Sequence, residues 1–253
     1  MEMKAFKKDL LNVRIYDSRQ EMGEAAARDI EDAICQVTAK KGFCNVIFAA
    51  APSQNEVLAA LAASKKVDWS KVNAYHMDEY IGLAADAPQG FANFLKNALF
   101  DRVPFGSVNC LDSTREAAGE CERYGRLLLE NPADIVCMGI GENGHIAFND
   151  PHVADFEDTE TVKIVTLDET CRMQQVHDGC FEALDMVPKQ ALTLTIPILT
   201  KPERVFCVVP AAAKAEAVEK TVNGPVEVSC PASILRKHEN AILYLEPDSA
   251  SRL

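Results

Sequence analysis

Residues 135–151 read Ile135-Val136-Cys137-Met138-Gly139-Ile140-Gly141-Glu142-Asn143-Gly144-His145-Ile146-Ala147-Phe148-Asn149-Asp150-Pro151, and this stretch decides how the chain is read. Its first half is a nearly continuous apolar run of strand length, as a strand buried in a core would be. The chain then leaves through Gly141 and Gly144, residues that tolerate backbone conformations others resist. It places His145 between an amide and a carboxylate. An imidazole with an ordinary pKa of about 6.5 exchanges protons near neutral pH. Asn143 and Asp150 are close enough in sequence to orient the ring. The same residues would also suit a plain turn carrying a structural histidine.

Outward from this stretch, short apolar runs alternate with helical patterns. Strands are expected at Leu11–Tyr16, Cys44–Ala51, Val72–Met77, Ile135–Ile140, Thr161–Leu167, Arg204–Val209 and Ala241–Leu245. Between them, Ser18-Arg19-Gln20-Glu21, Ser53-Gln54-Asn55-Glu56 and Ser113-Thr114-Arg115-Glu116 have the form of capping boxes, each opening a helix. Gly42 is placed to end the first helix, and Ala211–Val222 is helical in pattern. Alternation of this kind builds βαβ units, so the fold class is α/β, with a mostly parallel sheet and helices on both faces. In such sheets ligands bind beyond the carboxyl ends of the strands.

The chain has 253 residues, 48% hydrophobic content and a formal net charge of −12. That length supports a sizeable core, and one domain over 1–253 is the expected organisation. The charge opposes nucleic acid or an anionic membrane as partner, since both need a basic face. A small phosphorylated molecule remains compatible, because local cations and backbone N–H groups hold it against the global charge. Nine cysteines, scattered and without a C-x-x-C pair, imply a reducing cytoplasm and neither a disulfide framework nor a zinc site. The N-terminal residues lack the apolar core of a signal peptide, and no apolar run approaches a membrane span.

Four strand ends carry groups suited to chemistry. Ala49-Ala50-Ala51 lets a ligand approach the backbone, and the helix start at Ser53 and Gln54 offers N–H groups and a positive dipole end to an anion; a plainly capped helix is the alternative. Asp78 and Glu79 follow a strand directly and could supply a general base, or cap the next helix. The Gly141–Asp150 turn is the third. Lys214, early in a helix, opposes the dipole unless it points at an anion or lies solvated on the surface.

HMDEYIGL (residues 76–83) and GIGENGHIAFNDP (139–151) resemble the two most diagnostic motifs of the glucosamine-6-phosphate deaminases, and VPKQALTLTI (187–196), the Lys214 segment and CPASILRKH (230–238) fall where that family has related segments. The likeness runs in order over nearly the whole chain. It implies a Rossmann-like three-layer α/β/α fold and conversion of an amino-sugar 6-phosphate to fructose 6-phosphate and ammonia, with neither metal nor other cofactor. Carried over, Asp78 is the base that moves a proton between C1 and C2. His145 assists ring opening, with Asn143 and Asp150 beside it. Ser53, Gln54, Glu79, Gly144, Arg172 and Lys214 form the substrate- and phosphate-binding set. This chain departs from the family in an AAAPSQNE loop without glycines, in Asp150 where glutamate is usual, in Asn143 where some members have aspartate, and in the Cys171–His177 segment. There Arg172, Gln175 or His177 stands in for a phosphate-binding arginine. The last strand lies close to the end of the sequence, so a monomer or small homo-oligomer is expected rather than a regulated hexamer.

Four other readings share part of this pattern. A galactosamine-6-phosphate isomerase differs in the sugar epimer. A 6-phosphogluconolactonase-like hydrolase shares the Gly-His turn and lacks the MDEY form of the acidic motif. A sugar-phosphate-binding protein without turnover, or an effector domain of a transcription regulator, would be no enzyme; the latter needs a basic DNA-binding segment that the residues before Leu11 have no room for.

Overall fold

The chain is described by a computed structural model over residues 2–253. Its strands are β1 (Glu2–Lys8), β2 (Leu11–Tyr16), β3 (Cys44–Phe48), β4 (Val72–His76), β5 (Asp78–Tyr80), β6 (Ser107–Asn109), β7 (Ile135–Met138), β8 (Val162–Thr166), β9 (Gln190–Leu194), β10 (Arg204–Val209) and β11 (Ala241–Leu245). Its α-helices are α1 (Arg19–Lys41), α2 (Asn55–Ala63), α3 (Phe91–Leu95), α4 (Ala117–Glu130), α5 (Glu169–His177), α6 (Ile196–Thr200) and α7 (Ala215–Asn223); α3 continues through a wider turn, Lys96–Phe100.

Eight strands form the main sheet in the order β1-β2-β11-β10-β7-β3-β4-β6, parallel except for the β1–β2 pair. The expected mostly parallel α/β architecture is the observed one. Strands in such a sheet are buried on both faces, and side chains along them alternate between two cores. Val46, Phe48, Cys137, Phe206 and Val208 pack with Met22, Ile30 and Ile34 of α1 and Leu58 of α2. Ile47, Val136, Met138 and Cys207 pack with Tyr124 and Leu128 of α4 and Val218 and Val222 of α7. From β3 the chain runs outward to β4 and β6, then returns to β7 on the other flank of β3 and continues to β10 and β11. The β3–β7 junction is therefore a topological switch point, where the departing connections separate and leave a crevice. Among the described residues, no helix is long and apolar enough to cross a membrane.

Several local expectations change. The expected Thr161–Leu167 strand shortens to β8 and belongs to a second sheet, β5-β9-β8, which is antiparallel. Ser18 caps α1 through a 3.2 Å bond from the Glu21 N–H, and Gly42 ends that helix at φ +85°. Ser53 is no cap: Pro52 starts a 3₁₀ turn over Pro52–Gln54, and Ser53 Oγ instead accepts from Gln54 Nε2 at 3.0 Å. Helix α4, expected to open at Ser113, is capped by Glu116 instead, whose carboxylate accepts from the N–H groups of Ala118 and Gly119, because Asp112 holds Thr114 and Arg115 in a loop. The helix expected from Ala211 begins as a 3₁₀ turn over Ala212–Lys214, since Ala211 sits at φ +82°.

The small sheet matters because it carries Asp78. Strand β5 pairs with β9, placing Asp78 opposite Thr193. The Thr193 hydroxyl in turn accepts the Phe148 N–H at 3.0 Å. Buried Asn149 donates to Ile146 O at 3.0 Å and to Leu194 O at 2.8 Å. These bonds fasten the Ile146–Asn149 turn, at the end of a main-sheet strand, to the second sheet. Asn149→Ala removes two buried hydrogen bonds, worth about 0.5–1.5 kcal/mol each. We expect a lower urea midpoint at unchanged m-value; an unaltered midpoint would show that the turn does not depend on this amide.

Candidate active site

The polar groups gather at the carboxyl ends of four adjacent strands, β10, β7, β3 and β4. A cleft with an empty volume of about 470 Å³ opens there, walled by the loops after β3, β4 and β7 and by one side of α5. Ser53, Gln54, Asp78 and His145 all line it. The alanines after β3 line it too, as small residues that admit a ligand to the backbone.

His145 is held by a network beneath the ring. Its Nδ1 lies 2.7 Å from Asn143 Oδ1 and 3.2 Å from Asp150 Oδ1. Its backbone N–H also donates to Asn143 Oδ1, at 3.1 Å. Two acceptors facing Nδ1 require the proton there, which leaves Nε2 for the cleft. Asp150 is fully buried, and burial works against its charge. The His145 ring, the Asn143 amide and the Asp168 N–H outweigh that penalty and hold its carboxyl below the usual range. The shorter side chain thus reaches the imidazole. His145, Asp150 and Cys171 have ligand atoms within 4.8 Å of one another. Nδ1 and both Asp150 oxygens are already engaged in hydrogen bonds, so the cluster is satisfied as a hydrogen-bond network.

Two glycines make this geometry possible, for different reasons. Gly141 does not adopt a left-handed conformation; its role is steric. A Cβ at that position would lie 2.0–2.3 Å from ring atoms of His145, so only glycine lets the imidazole lie against the backbone. Gly144 does have positive φ, +86°, and a Cβ there would meet Cys230 Sγ at 2.8 Å. Its carbonyl accepts from the Ala232 N–H. The CPASILRKH segment therefore braces the turn, and Gly144 shapes the site without lining the cleft.

Asp78 is buried at the cleft wall. Burial first, and the Glu79 charge second, push its carboxyl well above the usual carboxylate range. A carboxyl in that condition suits proton transfer near neutral pH. Glu79 faces away from the cleft. Its carboxylate accepts from the N–H groups of Tyr80, Phe91 and Ala92, capping the start of α3 in place of binding a ligand. His76, beside them, is fully buried and accepts the Leu111 N–H; burial pushes it down to about 3, so it stays neutral.

Lys214 is 5% exposed, and its Nζ has no hydrogen-bond partner among the described residues. Burial lowers its pKa, while Asp178, Glu142 and Cys171 act in the opposite direction. It does not line the cleft itself, but Glu142 of the histidine turn and Cys171 of α5 lie within its electrostatic reach. A buried ammonium without a partner is costly, and an incoming anion would relieve it. Arg172 is turned elsewhere: its guanidinium donates to the carbonyls of Leu184 and Val187 and holds the 3₁₀ turn at Leu184–Met186. His177 is more than half exposed and faces Glu142. Of the candidates on α5, only Gln175 lines the cleft, with Gln174 beside it. Gln174 was not singled out from the sequence; its Oε1 accepts the Glu142 N–H at 2.8 Å, tying α5 to the histidine turn.

Such a site, with proton-handling groups gathered at the switch point of a parallel sheet, defines a small-ligand protein of the doubly wound α/β class. The chain belongs to the family described as glucosamine-6-phosphate isomerases/6-phosphogluconolactonase, which matches residues 17–244. It is 34% identical over 213 residues to a glucosamine-6-phosphate deaminase of Listeria welshimeri, covering 84% of this chain and 89% of that one. The solved structure of a monomeric glucosamine-6-phosphate deaminase superposes with a TM-score of 0.86 at 26% identity, over 95% of this chain and 99% of that one. A 6-phosphogluconolactonase from Trypanosoma brucei shares the fold at 18% identity, with a TM-score of 0.78, over 99% of this chain and 100% of that one. The family resemblance drawn from the two motifs is thus the observed membership.

Two outcomes follow from this geometry. Gly141→Ala forces the imidazole to move, and overpacking of this kind costs about 1–3 kcal/mol; urea unfolding should register the loss, and unchanged stability would count against the close approach. Asp78 has a folded pKa above its unfolded value. Its destabilising charge is absent below the unfolded pKa, grows as pH rises, and is complete above the folded pKa. Asp78→Asn should therefore raise the melting temperature more at pH 8 than at pH 4. An equal shift at both pH values would contradict a raised pKa.

Proposed function

We propose that the protein is a glucosamine-6-phosphate deaminase, acting as one domain over residues 1–253 and converting glucosamine 6-phosphate and water to fructose 6-phosphate and ammonia. The observation that carries this reading is the sharing of one cleft by two proton-transfer groups in complementary states. One is Asp78, a carboxyl whose affinity for protons is raised by burial. The other is His145, whose Nδ1 is engaged and whose Nε2 is left to the cleft.

The roles follow from the chemistry. Opening the sugar ring requires a proton taken from the anomeric hydroxyl and one given to the ring oxygen. The neutral Nε2 accepts the first and returns it as the second, while Asp150 steadies the transient imidazolium. In the open chain, Asp78 removes the proton from C2 and delivers it to C1, while a second proton passes from the C2 nitrogen to the C1 oxygen. The nitrogen-bearing C2 becomes an imine, water adds to it, and ammonia leaves as the C2 ketone forms. Lys214 and the Ser53–Gln54 loop hold the phosphate end, so binding energy remote from the reaction orients C1 and C2 beneath Asp78. Gln175, and not Arg172, completes the anion site from α5. Lactone hydrolysis has no need of a carbon base, so Asp78 favours isomerisation over the hydrolase reading.

The deciding experiment is an ammonia-release assay with 6-phosphorylated glucosamine, galactosamine and N-acetylglucosamine, alongside hydrolysis of 6-phosphogluconolactone. Ammonia from the glucosamine substrate is the expected result; lactone hydrolysis alone would overturn the reading. Asp78→Asn should lose at least about 10²-fold in turnover while still binding the sugar phosphate. His145→Gln should slow reaction from the closed ring far more than from an open-chain form, and equal losses on both would remove His145 from ring opening.

A further inference from the structure

We propose that Asp168 is a positioning residue that sets the tautomer of His145, acting through the amide of Asn143. Asp168 lies on neither diagnostic motif. It follows β8 and caps α5, its Oδ1 accepting the Cys171 N–H at 2.6 Å. Its Oδ2 accepts from Asn143 Nδ2 at 2.8 Å, and its own N–H donates to Asp150 Oδ2 at 3.1 Å.

The consequence comes from counting protons on the amide. Asn143 Nδ2 carries two hydrogens, and each has a carboxylate partner: Asp150 Oδ1 at 3.0 Å and Asp168 Oδ2 at 2.8 Å. An ionised carboxylate only accepts. Turning the amide over would set its oxygen against both carboxylates and leave them without those donors. Oδ1 is therefore kept facing His145, where it accepts from the backbone N–H and meets Nδ1 at 2.7 Å. An acceptor fixed opposite Nδ1 demands the Nδ1–H tautomer, and the Nε2 lone pair is left to the cleft. Asp150 Oδ1, at 3.2 Å, is the second and longer acceptor for Nδ1, and with only one carboxylate on its NH₂ the Asn143 amide would be held by one bond instead of two. Because Asp168 also caps α5, the helix that presents Gln174 and Gln175 to the cleft is fastened to the same network.

Asp168→Asn tests this. An asparagine there offers one oxygen to the Cys171 N–H and turns its NH₂ toward Asn143. That removes one of the two carboxylates that hold the Asn143 amide and leaves only Asp150 Oδ1 against reversal, so the reversed amide, whose NH₂ donates to Nδ1, gains population. Two-bond ¹⁵N–¹H correlation of histidine side chains reads the tautomer at alkaline pH, without any assay of activity. We expect Nδ1–H for His145 in the native protein and a substantial Nε2–H population in Asp168→Asn. Asp168→Ser, which keeps a capping oxygen but loses the arm to Asn143, should give mixed tautomers with the fold intact. In an Asn143→Asp background a carboxylate has no orientation to lose, so adding Asp168→Asn should leave the His145 tautomer as it is. An unchanged Nδ1–H signal in both single variants, or an equal change in the Asn143→Asp background, overturns the proposal.

The kinetic arm rests on the proposed role of His145 in ring opening. Turnover of the closed sugar should fall about tenfold or more in Asp168→Asn. A tautomer change with undiminished turnover would uphold the positioning role of Asp168 and refute ring opening by His145, so the two failures are distinct.

Discussion

The site depends on a small set of hydrogen bonds between the two sheets. Asn149 reaches from the turn after β7 to the carbonyl of Leu194, and the Phe148 N–H reaches the Thr193 hydroxyl. Thr193 is also the residue opposite Asp78. Through that one position on β9, the strand carrying the carboxyl and the turn carrying the imidazole are registered against each other. Aromatic packing reinforces the join: Tyr80 of β5 lies 5.3 Å from Phe148 and 4.8 Å from Phe91, ring centre to ring centre. Rigid packing around both groups is what preorganised proton transfer requires, since a displacement of about 1 Å costs much of the rate.

Electrostatically the cleft is built by subtraction. Water is removed from Asp78, which raises its proton affinity, and from Lys214, which lowers its own. Asp150 is buried as well, yet it stays easily ionised because three donors converge on it. Two buried carboxyls in one site are thus driven in opposite directions, Asp78 upward by burial and the Glu79 charge, Asp150 downward by the hydrogen bonds it accepts. That separation suits one to take up a proton near neutral pH while the other remains a charge beneath the histidine.

Much of the fold was legible in the sequence because the β-rich runs and the helical periods alternate without interruption. The run from Ile135 read as buried, and its neighbours β3 and β10 pack into both cores. What escaped notice was β1, whose lysine-rich sequence reads as polar, the short strands β5, β6 and β9, the α3 segment, and helices α5 and α6. Strands of three to five residues carry too little periodicity to stand out, and β9 is built of residues that suit several environments. Within the site, His145, Asn143, Asp150 and Asp78 were visible as polar groups at strand ends. Glu79 was also visible, as a base or ligand-binding group or as a cap for the next helix, and the cap is what forms; nothing local says that its carboxylate reaches across to the backbone of Phe91 and Ala92. Arg172 was misread for the same reason. A lone arginine in a polar segment gives no hint that the carbonyls of Leu184 and Val187 lie within its reach. Asp168 could have been found as an acid placed to cap a helix after an expected strand, although its tie to Asn143 could not.

By itself the sequence determined the α/β class, the family, and the residue types from which the site is made, because hydrophobic period, glycine placement and motif order are written along the chain. The tertiary structure alone decided which of those residues meet. Whether Gly141 serves conformation or close approach, whether Lys214 is solvated or buried without a partner, and which way the Asn143 amide faces are all settled by contacts between segments far apart in sequence. The physical reason is the short range of hydrogen bonds and packing forces. They act over a few ångströms of space, and a one-dimensional pattern does not specify which distant groups will come within that range.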